Sequence, residues 1–235
     1  MAWIWGEIDF ASLYSYRMPN LSPSYALTSP VPSPAALRLA LVDTAIKTTG
    51  KISYGEEIFE LIKSAPLEIE PPEKVAILKF FIKRLKPSKP EKEKPYKPCE
   101  ESFGIREYCH FIGPLKIYIK PSKKVGEIAN LFCLLRHLGT TDSIAMGRAK
   151  IEDTEPPQQF TWKETKELKP EAFNFVRRPV FTLNEIKEDA RFSQINPYIR
   201  GTKGNPYVQK TFTIPLIEEQ RGENWVIYKK IPFTL

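Results

Sequence analysis

The sequence predicts an α+β domain, and three observations carry that reading. Residues 125–139, VGEIANLFCLLRHLG, place Ile128, Leu131, Phe132, Leu135 and Leu138 three or four apart, the spacing of one buried helix face closed by Gly139. Residues 115–120 alternate: Leu115, Ile117 and Ile119 face one way and Lys116, Tyr118 and Lys120 the other, the period of a half-buried strand. Along the whole chain the elements read strand, helix, strands, helix, strands, an order that fits helices on one face of an antiparallel sheet. A ferredoxin-like βαββαβ core satisfies that order.

The elements follow in turn. Residues 2–17 are rich in aromatic and β-favouring side chains, from Trp3 and Trp5 to Tyr14 and Tyr16, and fit no helical period. Prolines at 19, 23, 30 and 32 break the next stretch, leaving SYALT as one short strand. Ser33 is a good N-cap, Pro34 suits the first helical position, and Gly50 is a stop, so a helix runs between them. That helix is apolar nearly all round, which predicts burial. A second short helix is expected over 55–65, with Ile58, Phe59, Leu61 and Ile62 inward. Residues 73–86 fit either a helix or alternation and are assigned to a strand. KPSKPEKEKPYKP, residues 86–98, holds five lysines and four prolines and reads as a basic loop tip. Residues 104–121 are strand-like again. After Pro156–Pro157 the chain is β-rich, and TFTIPLIEE, QRGEN and WVIYKKIPFTL close it as a hairpin. The boundaries expected are a core over 1–154, with a hairpin about 73–108 projecting from it, and a β-rich extension over 155–235.

Composition narrows the class. The 235 residues suffice for one large domain, or a domain with a smaller appendage. Prolines number 22, roughly twice the usual share, which implies rigid connections. The net charge of +7 suits an anionic partner without requiring one. Cys99, Cys109 and Cys133 form no metal-binding spacing, and there are only two histidines, so no metal or other cofactor is expected. The odd cysteine count fits a reducing compartment. The N-terminus lacks a basic leader, and no apolar run reaches the roughly 18 residues of a membrane span. The expected location is the cytoplasm, with no membrane partner.

Three stretches together resemble a known family. SYALTSPVPSPAALRLALVDTAI resembles the N-terminal motif of the CRISPR-associated Cas-five proteins of the RAMP superfamily. FGIREYCHFIGPLKIYI resembles the strand pair that follows that family's thumb hairpin, and LLRHLGTTDSIAMG resembles its helix and glycine-bearing loop. The likeness covers about residues 1–150. It departs at Leu39 and Ala40, where many members carry a glycine after the motif arginine, and in the loop 139–147, where only Gly139 and Gly147 are glycines.

The resemblance implies a ferredoxin-like, RNA-recognition-motif-like core with a β-hairpin thumb. It implies a non-catalytic subunit of a type I (Cascade-like) interference complex. Such a subunit holds the repeat-derived 5′ tag of the guide RNA (crRNA), caps the Cas-seven backbone subunit and docks the large subunit. Target DNA is a further candidate partner. One subtype of the family cuts precursor RNA without metal, and a protein–protein adaptor without nucleic acid is the third reading.

The candidate residues each have a plainer reading beside the functional one. Ser33 and the amides at the mouth of the first helix attract phosphate, with Arg38 one turn in as a bidentate donor; the plainer reading is a cap and a solvent-facing arginine. Lys79, Lys83, Arg84 and the tip lysines, Lys89 among them, could follow an RNA backbone, or form a solvated hairpin. Arg106 and Tyr108 share one side of their strand. Lys116, Tyr118 and Lys120 form a basic aromatic face of the kind that stacks bases, although tyrosine is also simply favourable in strands. Thr140 and Thr141 could hold phosphate or make a polar turn. If the chain is a ribonuclease, His110 is the general base, with Tyr108 and Lys116 beside it; a half-buried strand histidine is the plainer reading. His137 suits the last turn of its helix.

Overall fold

The computed structural model describes residues 2–19, 21, 22, 24–87, 99–167, 178–198 and 204–233. It is a mixed α+β fold, rich in strands. The tip between residues 88 and 98, including Lys89, lies outside the described residues.

β1 (Trp3–Phe10) and β2 (Tyr25–Ala26) lead into α1 (Pro34–Thr49) and α2 (Ile52–Ile62). β3 (Leu67–Glu70), the long hairpin β4 (Lys74–Pro87) and β5 (Cys99–Ile112), and β6 (Leu115–Ile119) follow. Next come α3 (Val125–Leu134), β7 (Ala145–Glu152), β8 (Lys163–Glu164), β9 (Val180–Ile186) and α4 (Phe192–Ile195). β10 (Tyr207–Thr213), β11 (Leu216–Arg221) and β12 (Trp225–Lys230) end the chain.

The first sheet has the order β3-β6-β1-β7, antiparallel throughout. α1 and α2 connect β1 to β3, and α3 connects β6 to β7. Register explains the burial. Ile4, Gly6 and Ile8 stand opposite Ile119, Ile117 and Leu115, so all six share one face. The isoleucines and Leu115 are at most 1% exposed, each burial contributing about 1.5–3 kcal/mol. Gly6 is needed because the Phe132 ring of α3 lies where a side chain would stand. Gly147 likewise lets the backbone of Phe132 approach β7.

α1 begins and ends as its sequence dictates: Ser33 Oγ accepts from the Ala36 N–H at 3.1 Å, and Gly50 sits at φ 70°. Asp43 and Lys47 pair at 2.7 Å on its exposed side. α3 is shorter than its apolar spacing predicts. It stops at Leu134, and Leu135 turns extended at ψ 132°. Leu135 and Leu138 are buried all the same, and His137 bridges to Ile144 outside any helix. Apolar spacing reports burial, and a short extended segment buries leucines as well as a helix does.

The hairpin β4–β5 is inserted between β3 and β6 and belongs to a second sheet, β11-β12-β4-β5-β2. β12 therefore adds the C-terminal hairpin to the arm's base. The residues TFTIPLIEE do not form one strand. β10 pairs with β9 in a third sheet, β8-β10-β9, and the chain changes sheets at Ile214–Pro215 before β11. Among the described residues, no helix is long and apolar enough to cross a membrane, and no cluster of histidine, cysteine and acid side chains could hold a metal ion.

Candidate nucleic-acid interface

The sheet geometry of the arm sorts its side chains. Phe80 lies opposite Arg106 and Arg84 opposite Ser102, so Phe80, Arg84, Arg106 and Tyr108 share one face of the hairpin. The Phe80 and Tyr108 rings meet edge to face at 5.8 Å. The segment after β1 runs along β5, bonded through Tyr14 N–H to Cys109 O at 2.9 Å. It brings up Ser15 and Arg17. The loop after α3 closes the far side, where Thr140 N–H donates to Ser15 O at 2.9 Å and Thr140 Oγ1 lies 3.2 Å from Ser143 Oγ. Gly139, at φ +98°, is what lets this loop lie against Ser15.

The result is a cleft of about 320 Å³ lined by Arg17, Arg84, Arg106, Tyr108, Thr140 and Thr141, with Asp142 and Ser15 at its wall. Among the described residues, Arg17, Arg84 and Arg106 have no carboxylate partner; Arg106 donates only to Ile105 O, at 2.9 Å. Three guanidiniums against one carboxylate give a concave site suited to an anion with hydroxyl and phosphate oxygens. Five of its residues are candidates from the sequence. Arg17 is not. It sits in a stretch read only as strand, and nothing local marks it out.

The other candidates are engaged elsewhere. Arg38 is a correction: the residue is 4% exposed, its guanidinium paired with Glu185 and bonded to the carbonyls of Ile62 and Ala65. It braces α1 against the C-terminal third and offers nothing to phosphate. Ser33 is fully buried as the cap of α1, so the plainer reading holds there. Tyr118 is also a correction: it is 1% exposed, packed edge-on against Trp5 at 4.9 Å and hydrogen-bonded to Glu70, so no base can stack on it.

Among the described residues, the four candidate lysines each face a carboxylate. Lys79 faces Glu107 at 4.0 Å, Lys83 Glu101 at 2.6 Å, Lys116 Glu70 at 3.3 Å and Lys120 Glu155 at 3.1 Å. A second cavity of about 470 Å³ lies on the helix-free face of the first sheet, between Trp5, Lys116, Tyr118 and Lys150. Its cations are compensated too, Arg148 by Glu7 and Asp9 and Lys150 by Glu152. His110 is exposed on β5 rather than half-buried, and Lys116 is tied to Glu70 on β6, so the three groups of the ribonuclease reading are not gathered by contacts.

Glu70 is the centre of a buried network that sequence reasoning did not find. It accepts from Lys230 at 2.8 Å, from Lys116 and from Tyr118, joining β3, β6 and β12. Burial pushes its carboxyl up, but Lys230, Tyr118 and Lys116 outweigh that and hold it below the usual range. Glu107, behind the cleft, is held above that range by burial, which Thr28 N–H and Lys79 only partly offset.

No family model matches the chain. A CRISPR protein from Archaeoglobus fulgidus, known from its crystal structure, shares the fold over 98% of this chain and 92% of its own, with a TM-score of 0.53 at 10% identity. The chain is thus of the fold found in that CRISPR protein. A CRISPR-associated protein Cas5 from the same organism is 34% identical over 225 residues, 96% of this chain and 97% of the relative. The chain belongs to the CRISPR-associated Cas5 family, the Cas-five family whose motifs its sequence resembles.

Proposed function

We propose that the chain is a non-catalytic, cytoplasmic subunit of a type I interference (Cascade) complex. It binds the repeat-derived 5′ tag of the guide RNA and caps the Cas-seven backbone, next to the large subunit. The observation that carries this reading is the cleft at the base of the arm, where Arg17, Arg84 and Arg106 stand without carboxylate partners among the described residues, beside Tyr108 and Thr140. Unpaired guanidiniums next to an aromatic ring and hydroxyls suit a single-stranded RNA backbone with a base against it. The strand order β3-β6-β1-β7 with its two helical crossovers supports taking the first sheet as a ferredoxin-like core and the arm as its thumb. On this reading residues 1–154 form the core and 155–235 an extension.

The test is to purify the tagged protein from its host at moderate salt and sequence the RNA that accompanies it. Short RNAs with one constant repeat-derived 5′ end are expected. Protein free of RNA and of a Cas-seven-like partner would overturn the proposal. Incubation with precursor RNA is expected to leave it uncut; cleavage that disappears in His110→Ala would restore the ribonuclease reading.

A further inference from the structure

The first sheet, β3-β6-β1-β7, has two edges, and the chain treats them differently. At β3 the edge is covered, because Trp162 N–H donates to Ile69 O at 2.9 Å. At β7 the cover begins and stops. Ala145 N–H donates outward to Arg136 O at 2.8 Å, and His137 bridges to Ile144. Backbone groups alternate in direction along an antiparallel strand. With Ala145 turned outward, Met146, Arg148, Lys150 and Glu152 turn toward β1, and Gly147, Ala149 and Ile151 direct their N–H and C=O groups away from it. Among the described residues, these outward groups have no hydrogen-bond partner.

The devices that usually blunt an edge are missing here. The pairing with β1 runs from Trp3–Glu152 to Phe10–Ala145 without a bulge, and β7 holds no proline. Arg148 lies on the helix-free face, held by Glu7 and Asp9, and Lys150 is held by Glu152. The row on the helix side, Gly147, Ala149 and Ile151, is small or apolar, and Ile151 is 48% exposed.

Backbone chemistry decides what fits. Each open residue offers one donor and one acceptor, and the next follows about 6.8 Å further on, two strand residues along. An extended peptide answers both groups at that repeat, whereas phosphate offers acceptors only. A second copy fits poorly. The two-fold register that pairs all three open residues sets Ala149 against Ala149 and Gly147 against Ile151. It thereby sets Arg148 directly against Lys150, twice, and like charges directly opposite repel.

We infer that β7 takes an extended, non-basic segment of a different protein chain as a fifth strand of the first sheet, along Gly147–Ile151, an inference that rests on reading the protein as a subunit of a larger assembly. The added strand continues the line that this chain's own cover leaves at Arg136. It sets apolar side chains beside Ile151 and no lysine or arginine opposite Arg148 and Lys150.

Residue-level hydrogen exchange tests this on the full-length chain alone and in its assembly purified from the host. In the chain alone, the amides of Gly147, Ala149 and Ile151 are expected to exchange fast, and those of Arg148 and Lys150, bonded to β1, slowly. In the assembly the three fast amides should slow by about tenfold or more. Fast exchange there in an assembly that carries RNA overturns the docking edge alone. Slowed exchange in an assembly without RNA overturns the RNA reading alone, and a chain that purifies without any partner overturns both. Slow exchange of the three amides in the chain alone also overturns the docking edge, whether a second copy or the chain itself covers it. Two variants confirm the route. Ala149→Pro removes an open N–H and no bond to β1, and Ile151→Lys adds a charge at an exposed position. Each should keep its RNA affinity and lose the partner subunit's binding by about tenfold; wild-type binding in both overturns the docking edge.

Discussion

Arg38 of α1 and Glu185 of β9 form a nearly buried ion pair, Nε to Oε1 at 3.1 Å and a second guanidinium nitrogen to Oε2 at 3.3 Å. The same guanidinium bonds the carbonyls that end α2, at Ile62 and Ala65. One side chain thus joins the first helices to the C-terminal third. Arg38→Ala leaves the nearly buried Glu185 carboxylate without its counter-ion and takes a donor from the carbonyls of Ile62 and Ala65, so it should destabilise the protein by about 3–5 kcal/mol. Urea unfolding measures this. RNA affinity per folded molecule should not change. Reduced RNA affinity in a variant of full stability would show that Arg38 meets the guide after all.

The Glu70 network predicts a pH dependence. The carboxyl sits below its ordinary range when folded, because Lys230, Tyr118 and Lys116 together outweigh burial. The folded state therefore binds this proton less readily than the unfolded state. Its contribution is present at pH above the unfolded value and is lost as pH falls through the folded value. Glu70→Gln should cost about 1.5–3 kcal/mol at neutral pH, and the difference from wild type should shrink in acid. Thermal unfolding across a pH series checks this; a difference that is constant with pH would remove Glu70 as the titrating group.

The cleft arginines predict a salt signature. Each phosphate neutralised on single-stranded nucleic acid contributes about 0.7 to the slope of log K against log salt. Replacing Arg17, Arg84 and Arg106 by alanine should therefore lower the magnitude of that slope by about 2. RNA titrations at several salt concentrations measure it. Lys79→Ala should change the slope less, because Glu107 already faces that ammonium.

Gly139 predicts a coupled loss of stability and binding. A Cβ there would stand 2.5 Å from Ser15 O, on a backbone at φ +98°. Gly139→Ala should cost on the order of 1–3 kcal/mol and weaken RNA binding, because it pushes Thr140 away from the cleft. A variant with unchanged RNA affinity would exclude the loop from the interface.

Much of the fold is legible locally. Ser33, Pro34 and Gly50 mark α1 from cap to stop, and the alternation of Leu115 to Lys120 assigns β6 its two faces. The site is legible only in pieces. Arg84, Arg106, Tyr108, Thr140 and Thr141 are each visible as candidates, but their meeting depends on β5 pairing with β4 and on the loop after α3 reaching Ser15. Tyr118 misleads because alternation says which face a residue takes and not what covers that face. Arg17 is silent for the opposite reason: its role comes from chain segments far from it in sequence.

The amino-acid order by itself determined the elements, their caps and the basic character of the chain, because periodicity, capping and composition act within a few residues. Only the tertiary structure decided which cations are free. Glu185 meets Arg38 across 147 positions and Glu70 meets Lys230 across 160, and such long-range pairings withdraw one cation from solvent while leaving another open in the cleft. An ion pair forms wherever folding brings opposite charges within a few ångströms, and separation along the chain carries no trace of it.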